Sequence, residues 1–250
     1  MKIENKVAIV TGASRGIGRG IAKRFAQEGA RVAINYNTSE REASLFLDEI
    51  EREGGKAILA RADVSKRAEV KQMVRKTMEA WNRIDILVNN AGIHYPVDIF
   101  EHTEEMWNKT IDVNLKGTYL CCKEVAPIML GQKSGKIINI SSNSGMYHPS
   151  AMLFSEYVAS KAGVNGLTKA LALRLGPYIT VNAICPGAIM TEMNAFRDDN
   201  AKKAVIEETP LKRMGTVEDV ANASLFLASD DSSFITGELM LVTGGRGMHQ

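Results

Sequence analysis

The tightest constraint on this chain lies near its N-terminus. The apolar run Val7-Ala8-Ile9-Val10 leads into Thr11-Gly12-Ala13-Ser14-Arg15-Gly16-Ile17-Gly18 and then into an amphipathic stretch through Glu28. A buried strand, a glycine turn and a helix start, in that order, aim backbone N–H groups and the positive end of a helix dipole at one point, which suits a pyrophosphate. Glycines also serve ordinary tight turns, so the turn by itself leaves both readings open.

The rest of the chain repeats the strand-then-helix alternation. Apolar, β-branched runs predict strands at Val7–Thr11, Arg31–Tyr36, Lys56–Arg61, Ile84–Asn89, Lys136–Ser141, Thr180–Ile184 and Glu238–Val242. Helical patterns predict helices at Ile17–Glu28, Glu40–Glu53, Lys66–Asn82, Glu104–Leu130, Glu156–Leu175 and Val217–Ala228. Near-continuous apolar strands separated by helices imply a parallel sheet covered on both faces, hence a doubly wound, seven-stranded α/β fold. No linker, repeat or low-complexity stretch divides the 250 residues, so a single domain is expected over 1–250. The connection from Pro186 to Gly215 shows no regular pattern and is long for a loop, which makes it a candidate lid over a ligand.

Charge and cysteine usage exclude several function classes. Thirty-one Lys and Arg against 29 Asp and Glu leave a net charge of +2, with both signs interleaved, so nucleic acid is not an expected partner. No run approaches the roughly 18 apolar residues of a membrane span, and Met1-Lys2-Ile3-Glu4 carries no signal-peptide pattern, so a cytoplasmic protein is expected. Cys121, Cys122 and Cys185 lack metal-ligand spacing, and reduced thiols with no bound metal are expected.

The second informative string is Tyr157-Val158-Ala159-Ser160-Lys161. On a helix, residues four apart share one face, so the phenol of Tyr157 and the ammonium of Lys161 look the same way. A free phenol has a pKa of about 10, too high for efficient proton exchange near neutrality, and a nearby ammonium favours the phenolate. Tyr157 could then serve as general acid toward a carbonyl oxygen or general base toward an alcohol. Tyr and Lys at this spacing also occur on ordinary helix surfaces.

Taken together and in order, these strings resemble the short-chain dehydrogenase/reductase family from Lys6 to about Gly245. The resemblance rests on Thr11-Gly12-Ala13-Ser14-Arg15-Gly16-Ile17-Gly18, Asp63-Val64, Asn89-Asn90-Ala91-Gly92, Asp112-Val113-Asn114, Ser141-Ser142, Tyr157 with Lys161, and Pro186-Gly187 followed by Thr191. It implies a Rossmann fold and a nicotinamide cofactor. Gly12 would then permit the turn, Gly16 let the backbone approach the diphosphate and Gly18 allow close helix packing, with Ser14, Arg15, Ile17, Tyr36 and Asn37 also in the cofactor-binding set and Asp63 and Val64 at the adenine. Asp63 reads equally as a cap for the helix near Lys66. Asn90, Ala91 and Gly92 would leave room for the nicotinamide ribose, and Pro186, Gly187, Ile189 and Thr191 would hold the nicotinamide. The resemblance makes Tyr157 the proton donor or acceptor and has Lys161 lower its pKa and hold the ribose. It has Ser142 bond the substrate oxygen, an oxyanion-type contribution of about 3 kcal/mol, and Asn114 hold a water that relays protons. Asn114 and Ser142 also have plain readings as a helix-kinking residue and a turn residue.

Two departures stand out. The interval from Ser142 to Tyr157 is slightly long for the family, and the usual spacing lands near Ser144; Ser142 is preferred because Ile140-Ser141-Ser142 ends a strand. The string Val242-Thr243-Gly244-Gly245 lacks the customary acid before its glycines, which should alter a loop contact rather than the reaction.

The strand ending Ile34-Asn35-Tyr36-Asn37-Thr38-Ser39 has no acid to repel a 2′-phosphate, and Arg15 lies close by, so NADP(H) is the expected cofactor with NAD(H) as the alternative; Arg15 could instead pair with Glu40. His94, Tyr95, Met146, His148, Met152, Phe154, Met190, Met193 and Phe196 are the expected pocket, suited to a carbonyl or alcohol substrate with an apolar portion. The overall resemblance is to 3-oxoacyl carrier-protein reductases. A sugar or polyol dehydrogenase of the glucose dehydrogenase type, suggested by Asn35-Tyr36 and Trp107-Asn108-Lys109, is the runner-up, and a non-catalytic nucleotide-binding protein is disfavoured by the four reaction residues. Small residues Ala159, Gly163, Gly166 and Ala170, beside the apolar stripe Val164, Leu167, Leu171 and Leu175, predict close helix packing, and the resemblance implies a homotetramer.

Overall fold

Burial on both faces is what the apolar runs demand, and a central sheet supplies it. The computed structural model describes residues 1–146, 155–192 and 198–247. Seven strands, β1 (Val7–Val10), β2 (Arg31–Tyr36), β3 (Lys56–Arg61), β4 (Ile86–Asn89), β5 (Gly135–Ile140), β6 (Ile179–Pro186) and β7 (Leu239–Val242), form one parallel sheet in the order 3-2-1-4-5-6-7. All residues of β1 and β4 are buried.

The helices are α1 (Gly16–Gln27), α2 (Glu40–Arg52), α3 (Arg67–Trp81), α4 (Glu104–Ile111), α5 (Gly117–Gln132), α6 (Ser155–Leu175), α7 (Asp199–Glu208) and α8 (Val217–Ala228). One core joins the sheet to α1, α2 and α8 through Phe25, Phe46, Val220 and Leu225; the other joins it to α3, α5 and α6 through Met73, Val125, Met129 and Leu175. The strand order reverses between β1 and β4, and the crevice beyond their carboxyl ends is where such sheets bind ligands. The doubly wound, seven-stranded Rossmann-type domain expected from sequence is the fold observed.

Most elements match within one or two residues at their ends, and three differences from expectation carry structural meaning. β4 begins at Ile86 rather than Ile84 because the buried Asp85 carboxylate accepts the Val7 N–H at 2.8 Å and a two-pronged contact from Arg83, taking the place of a ladder bond. The helix expected over Glu104–Leu130 is interrupted by a π turn at Asp112–Lys116, which carries Asn114; single π turns of this kind cluster at functional sites. The Pro186–Gly215 connection is not irregular throughout, since α7 lies inside it, with Asp198 as N-cap accepting the Ala201 N–H at 2.7 Å. Its two ends are tied together where Met190 N donates to Gly215 O and Gly215 N to Ala188 O, both at 2.9 Å.

Among the described residues no helix is long and apolar enough to cross a membrane, and no cluster of His, Cys, Asp and Glu could hold a metal. The three cysteines are free and buried.

Candidate active site

A cleft of about 530 Å³ runs along the carboxyl edge of the sheet, from Thr38 and Ser39 at one end to Ser142 and Tyr157 at the other. Its floor is the β1–α1 turn. Gly16 adopts φ +54° and a Cβ there would face open space with only Thr191 within 4 Å, whereas a Cβ on Gly18 would lie 2.4 Å from the Gly12 carbonyl oxygen. The first glycine therefore opens the turn to a ligand and the second lets α1 press onto its own turn. The turn is braced from outside: the Gly12 N–H donates to the Asn35 side chain at 3.1 Å, and the Asn90 side chain donates to the carbonyls of Thr11 and Gly12. Arg15, the N-cap of α1, makes no side-chain cap bond. The free first-turn N–H groups and the dipole behind them fit a diphosphate.

At the adenosine end Tyr36, Asn37, Thr38 and Ser39 line the cleft with Arg15. Arg15 pairs with Glu192 at 3.4 Å, not with Glu40, and both side chains are largely exposed (68% and 73%). Glu40 instead accepts the Tyr36 hydroxyl at 3.5 Å. Arg61, one residue beyond the sequence-derived set, donates to the Asn37 carbonyl at 3.3 Å and adds a second guanidinium at this end. Asp63 does not cap α3, whose N-cap is Lys66; it accepts the amide and hydroxyl of Ser65 at 3.0 and 2.6 Å and faces Lys109 at 3.6 Å. Burial pushes the Asp63 carboxyl up, but the two Ser65 bonds with Lys109 and Lys66 outweigh it and hold the group below the usual carboxylate range. Val64 lines the cleft beside it.

The reaction end is dry by comparison. Ser142 caps the short turn Asn143–Gly145 and accepts the Ser144 N–H at 3.1 Å. A Cβ on Gly145 would lie 2.7 Å from the backbone of Lys161 and Ala162, so this glycine lets the turn press against α6 and brings Ser142 to Tyr157. Of the two serines considered, Ser142 lines the cleft and Ser144 does not. Lys161 is 4% exposed and donates to the Ile140 carbonyl at 2.7 Å, with its ammonium 5.6 Å from the centre of the Tyr157 ring. Burial lowers Lys161 to about 8. Burial also raises Tyr157, against a lowering hydrogen bond from Ser142. The phenol is thus held up here by burial, the opposite of the effect expected from Lys161.

Asn114 sits in the π turn, where its side chain clasps Ile93 from both sides, accepting its N–H at 2.8 Å and donating to its carbonyl at 2.9 Å, and donates to Ser160 at 3.0 Å. A Cβ on Gly92 would stand 3.4 Å from Asn114 Oδ1 and 3.6 Å from Lys161 Nζ. Asn114 and Lys161 therefore face a common point beside Gly92.

Asn90, Ala91, Gly92, Pro186, Gly187, Ile189 and Thr191 all line the cleft, as do Gly12, Ser14, Arg15, Gly16 and Ile17; Gly18 packs beneath it. Gly187 leans on Thr243, in the string Val242-Thr243-Gly244-Gly245. Of the expected pocket residues, His94 meets Tyr157 edge to face at 5.8 Å, Tyr95 meets His102, and Met190 is exposed. His148, Met152, Phe154, Met193 and Phe196 lie outside the described residues. Lys109 and Glu192 line the cleft although the sequence reading gave them no cofactor role; both are reached only through partners distant in the chain.

Comparison with known proteins matches this geometry. The sequence model of a family described as enoyl-(acyl carrier protein) reductase matches residues 12–247. The chain is 45% identical over 246 residues to the 3-oxoacyl-[acyl-carrier-protein] reductase of Staphylococcus epidermidis, spanning 98% of this chain and 100% of that protein. It is 41% identical over 249 residues to the BbsD subunit of (2S)-[(R)-hydroxy(phenyl)methyl]succinyl-CoA dehydrogenase of Thauera aromatica, 99% of each chain. Among solved structures, a gluconate 5-dehydrogenase from Burkholderia cenocepacia, in complex with NADP and tartrate, matches with a TM-score of 0.91 at 32% identity over 98% of this chain and 96% of that one. The chain belongs to the short-chain dehydrogenase/reductase family and is an oxidoreductase of the 3-oxoacyl-carrier-protein-reductase kind, acting on CH–OH and C=O groups.

Proposed function

We propose that this enzyme reduces 3-oxoacyl thioesters with NADPH, using Ser142, Tyr157 and Lys161 at the carbonyl. The observation behind this reading is that those three side chains converge at one end of a cleft whose other end presents an uncapped helix start and the Arg15 guanidinium, with Arg61 held on the Asn37 carbonyl beside it. The glycine turn fits a diphosphate and the residues from Pro186 to Thr191 fit a nicotinamide, so the cleft accommodates a dinucleotide along its length. Bound there, the nicotinamide supplies the hydride. Arg15, Arg61 and the hydroxyls of Thr38 and Ser39 suit a 2′-phosphate, and no carboxylate on β2 repels one.

The side chains account for the proton. Because burial keeps the phenol neutral, Tyr157 enters the reaction as an acid and donates its O–H to the carbonyl oxygen as charge develops there. Ser142 donates to the same oxygen, an electrostatic contribution of about 3 kcal/mol at comparable sites. Lys161 stays protonated below about pH 8 and compensates the phenolate that Tyr157 becomes. Asn114 holds Ile93 in place and turns Oδ1 toward Lys161 past Gly92, where a relaying water would complete the path to solvent.

The segment from 186 to 215, with its ends tied and α7 within it, acts as the lid over substrate. Gly163 of the small-residue stripe packs inside the chain against Leu115, whereas Gly166 meets nothing within 4 Å and is free to approach a second subunit in a homotetramer. A cytoplasmic location accords with the free, buried thiols.

Three readings are separated by one panel: acetoacetyl-CoA, crotonyl-CoA and gluconate, each with NADPH or NADP and NADH or NAD. The proposal predicts fast NADPH oxidation with acetoacetyl-CoA alone. Turnover of crotonyl-CoA would favour the enoyl reduction named by the family description, and NADP reduction by gluconate would favour the polyol reading suggested by the structural neighbours.

A further inference from the structure

One buried ionisable pair near the cleft has no part in the chemistry described above. Glu156, the residue before Tyr157, is completely buried in the first turn of α6. Its Oε2 lies 3.1 Å from Nε2 of His102, whose side chain is 7% exposed and which belongs to the segment between β4 and α4. Neither atom has an aligned hydrogen bond among the described residues, so their close approach is the polar contact each makes. The remaining carboxylate oxygen faces the Tyr95 N–H at 3.4 Å, and the Tyr95 ring meets His102 edge to face at 6.3 Å. Tyr95 is next to His94, whose imidazole stands against the Tyr157 ring.

A carboxylate out of water is unfavourable unless paired, and the dipole at the start of α6 offsets only part of that. An apolar pair would fill the same space more stably, yet the contact made here joins two elements that must be in register for the reaction: the turn of helix carrying Tyr157 and the segment forming the wall opposite it. Resting on the reading of Tyr157 as the acid, we infer that Glu156 and His102 are positioning residues, a clamp that ties residues 91–103 to α6 and so fixes His94 against the Tyr157 ring. Asn114 grips the same segment one step earlier, at Ile93. The segment is therefore held at two points, Ile93 by the Asn114 amide and Tyr95–His102 by the Glu156 carboxyl group.

The test compares Glu156→Gln, His102→Gln and the double variant with the wild type. Each single change replaces one side of the buried contact and leaves the other facing a partner it was not fitted to; the double change leaves two neutral amides able to bond each other. Amide hydrogen exchange across 91–103 should speed by about tenfold or more in either single variant relative to β4 and β5. KM for acetoacetyl-CoA should rise about tenfold, while kcat at saturation and the NADPH dissociation constant move less than about threefold. The double variant should regain most of both. Unchanged exchange and KM in folded single variants would overturn the clamp. So would a parallel loss of KM, kcat and NADPH affinity, which is the mark of general damage. If a single variant does not fold, recovery of folding in the double variant supports the clamp and equal loss overturns it. Should the wild type leave acetoacetyl-CoA untouched, the substrate reading falls while the exchange measurement still decides the clamp.

Discussion

The two ends of the cleft are built from opposite materials. At the reaction end Lys161 and Ser142 are buried, and the Lys161 ammonium is fixed to a backbone carbonyl. At the opposite end, where the proposal puts adenosine, Arg15 and Glu192 form a largely exposed ion pair between the glycine turn and the segment that follows β6. Burial makes the first end sensitive to single atoms, because a low dielectric strengthens every contact and penalises every unpaired group. Exposure makes the second end adjustable, since a solvated ion pair contributes about 0–1 kcal/mol and yields readily to a competing anion. The proposed function puts chemistry at one end and cofactor preference at the other, with predicted consequences of very different size.

The largest effect should follow Tyr157→Phe, which removes the proton donor without changing shape. We expect kcat for acetoacetyl-CoA reduction to fall by about 10³-fold or more with NADPH binding retained, measured by steady-state kinetics and by fluorescence titration of the cofactor. Retained turnover would merge the two ends into one binding surface.

Next comes Lys161→Met, which separates function from stability. Lowering of Lys161 from 10.5 to about 8 corresponds to about 3 kcal/mol of unfavourable burial at about 1.4 kcal/mol per unit. The folded state holds the proton less tightly than the unfolded chain, so this penalty is fully present below pH 8 and fades as pH rises from 8 to 10.5. The variant should lose about 10²-fold or more in kcat while its thermal midpoint at pH 7 holds or rises; a marked drop would show that the bond to Ile140 dominates.

A smaller effect is expected from Gly92→Ala, whose methyl would plug the space faced by Asn114 and Lys161. Reduction should slow about tenfold with substrate affinity little changed, through interruption of the proton path. At the adenosine end, Arg15→Ala should weaken NADPH by about tenfold and leave NADH nearly unchanged, whereas Glu192→Gln should tighten NADPH by only about twofold by freeing Arg15. Inverse results at these two positions would place the 2′-phosphate elsewhere.

The same contrast decides what could be read without coordinates. Strands such as Val7–Val10 were legible because burial on both faces imposes an unbroken apolar run, and Tyr157 with Lys161 was legible because helical spacing alone puts them on one face. The helix over Asp199–Glu208 escaped notice inside a segment with weak apolar periodicity, although Asp198 is a serviceable cap signal. The π turn was hidden because Asp112–Lys116 reads as ordinary helix. Glu156 was invisible for a different reason: an acid in a first helical turn normally faces water, and only the fold brings His102 to it. Arg15 was seen, but its partner Glu192 is 177 positions away and no local pattern points to it.

The most direct test of the account is the pH dependence of kcat for acetoacetyl-CoA reduction by the wild-type enzyme at saturating NADPH. A neutral phenol backed by a lysine that titrates near 8 predicts a plateau through neutrality and a decline as pH rises past about 8. A rate that instead climbs through pH 8 would mean that Tyr157 does not act as the acid.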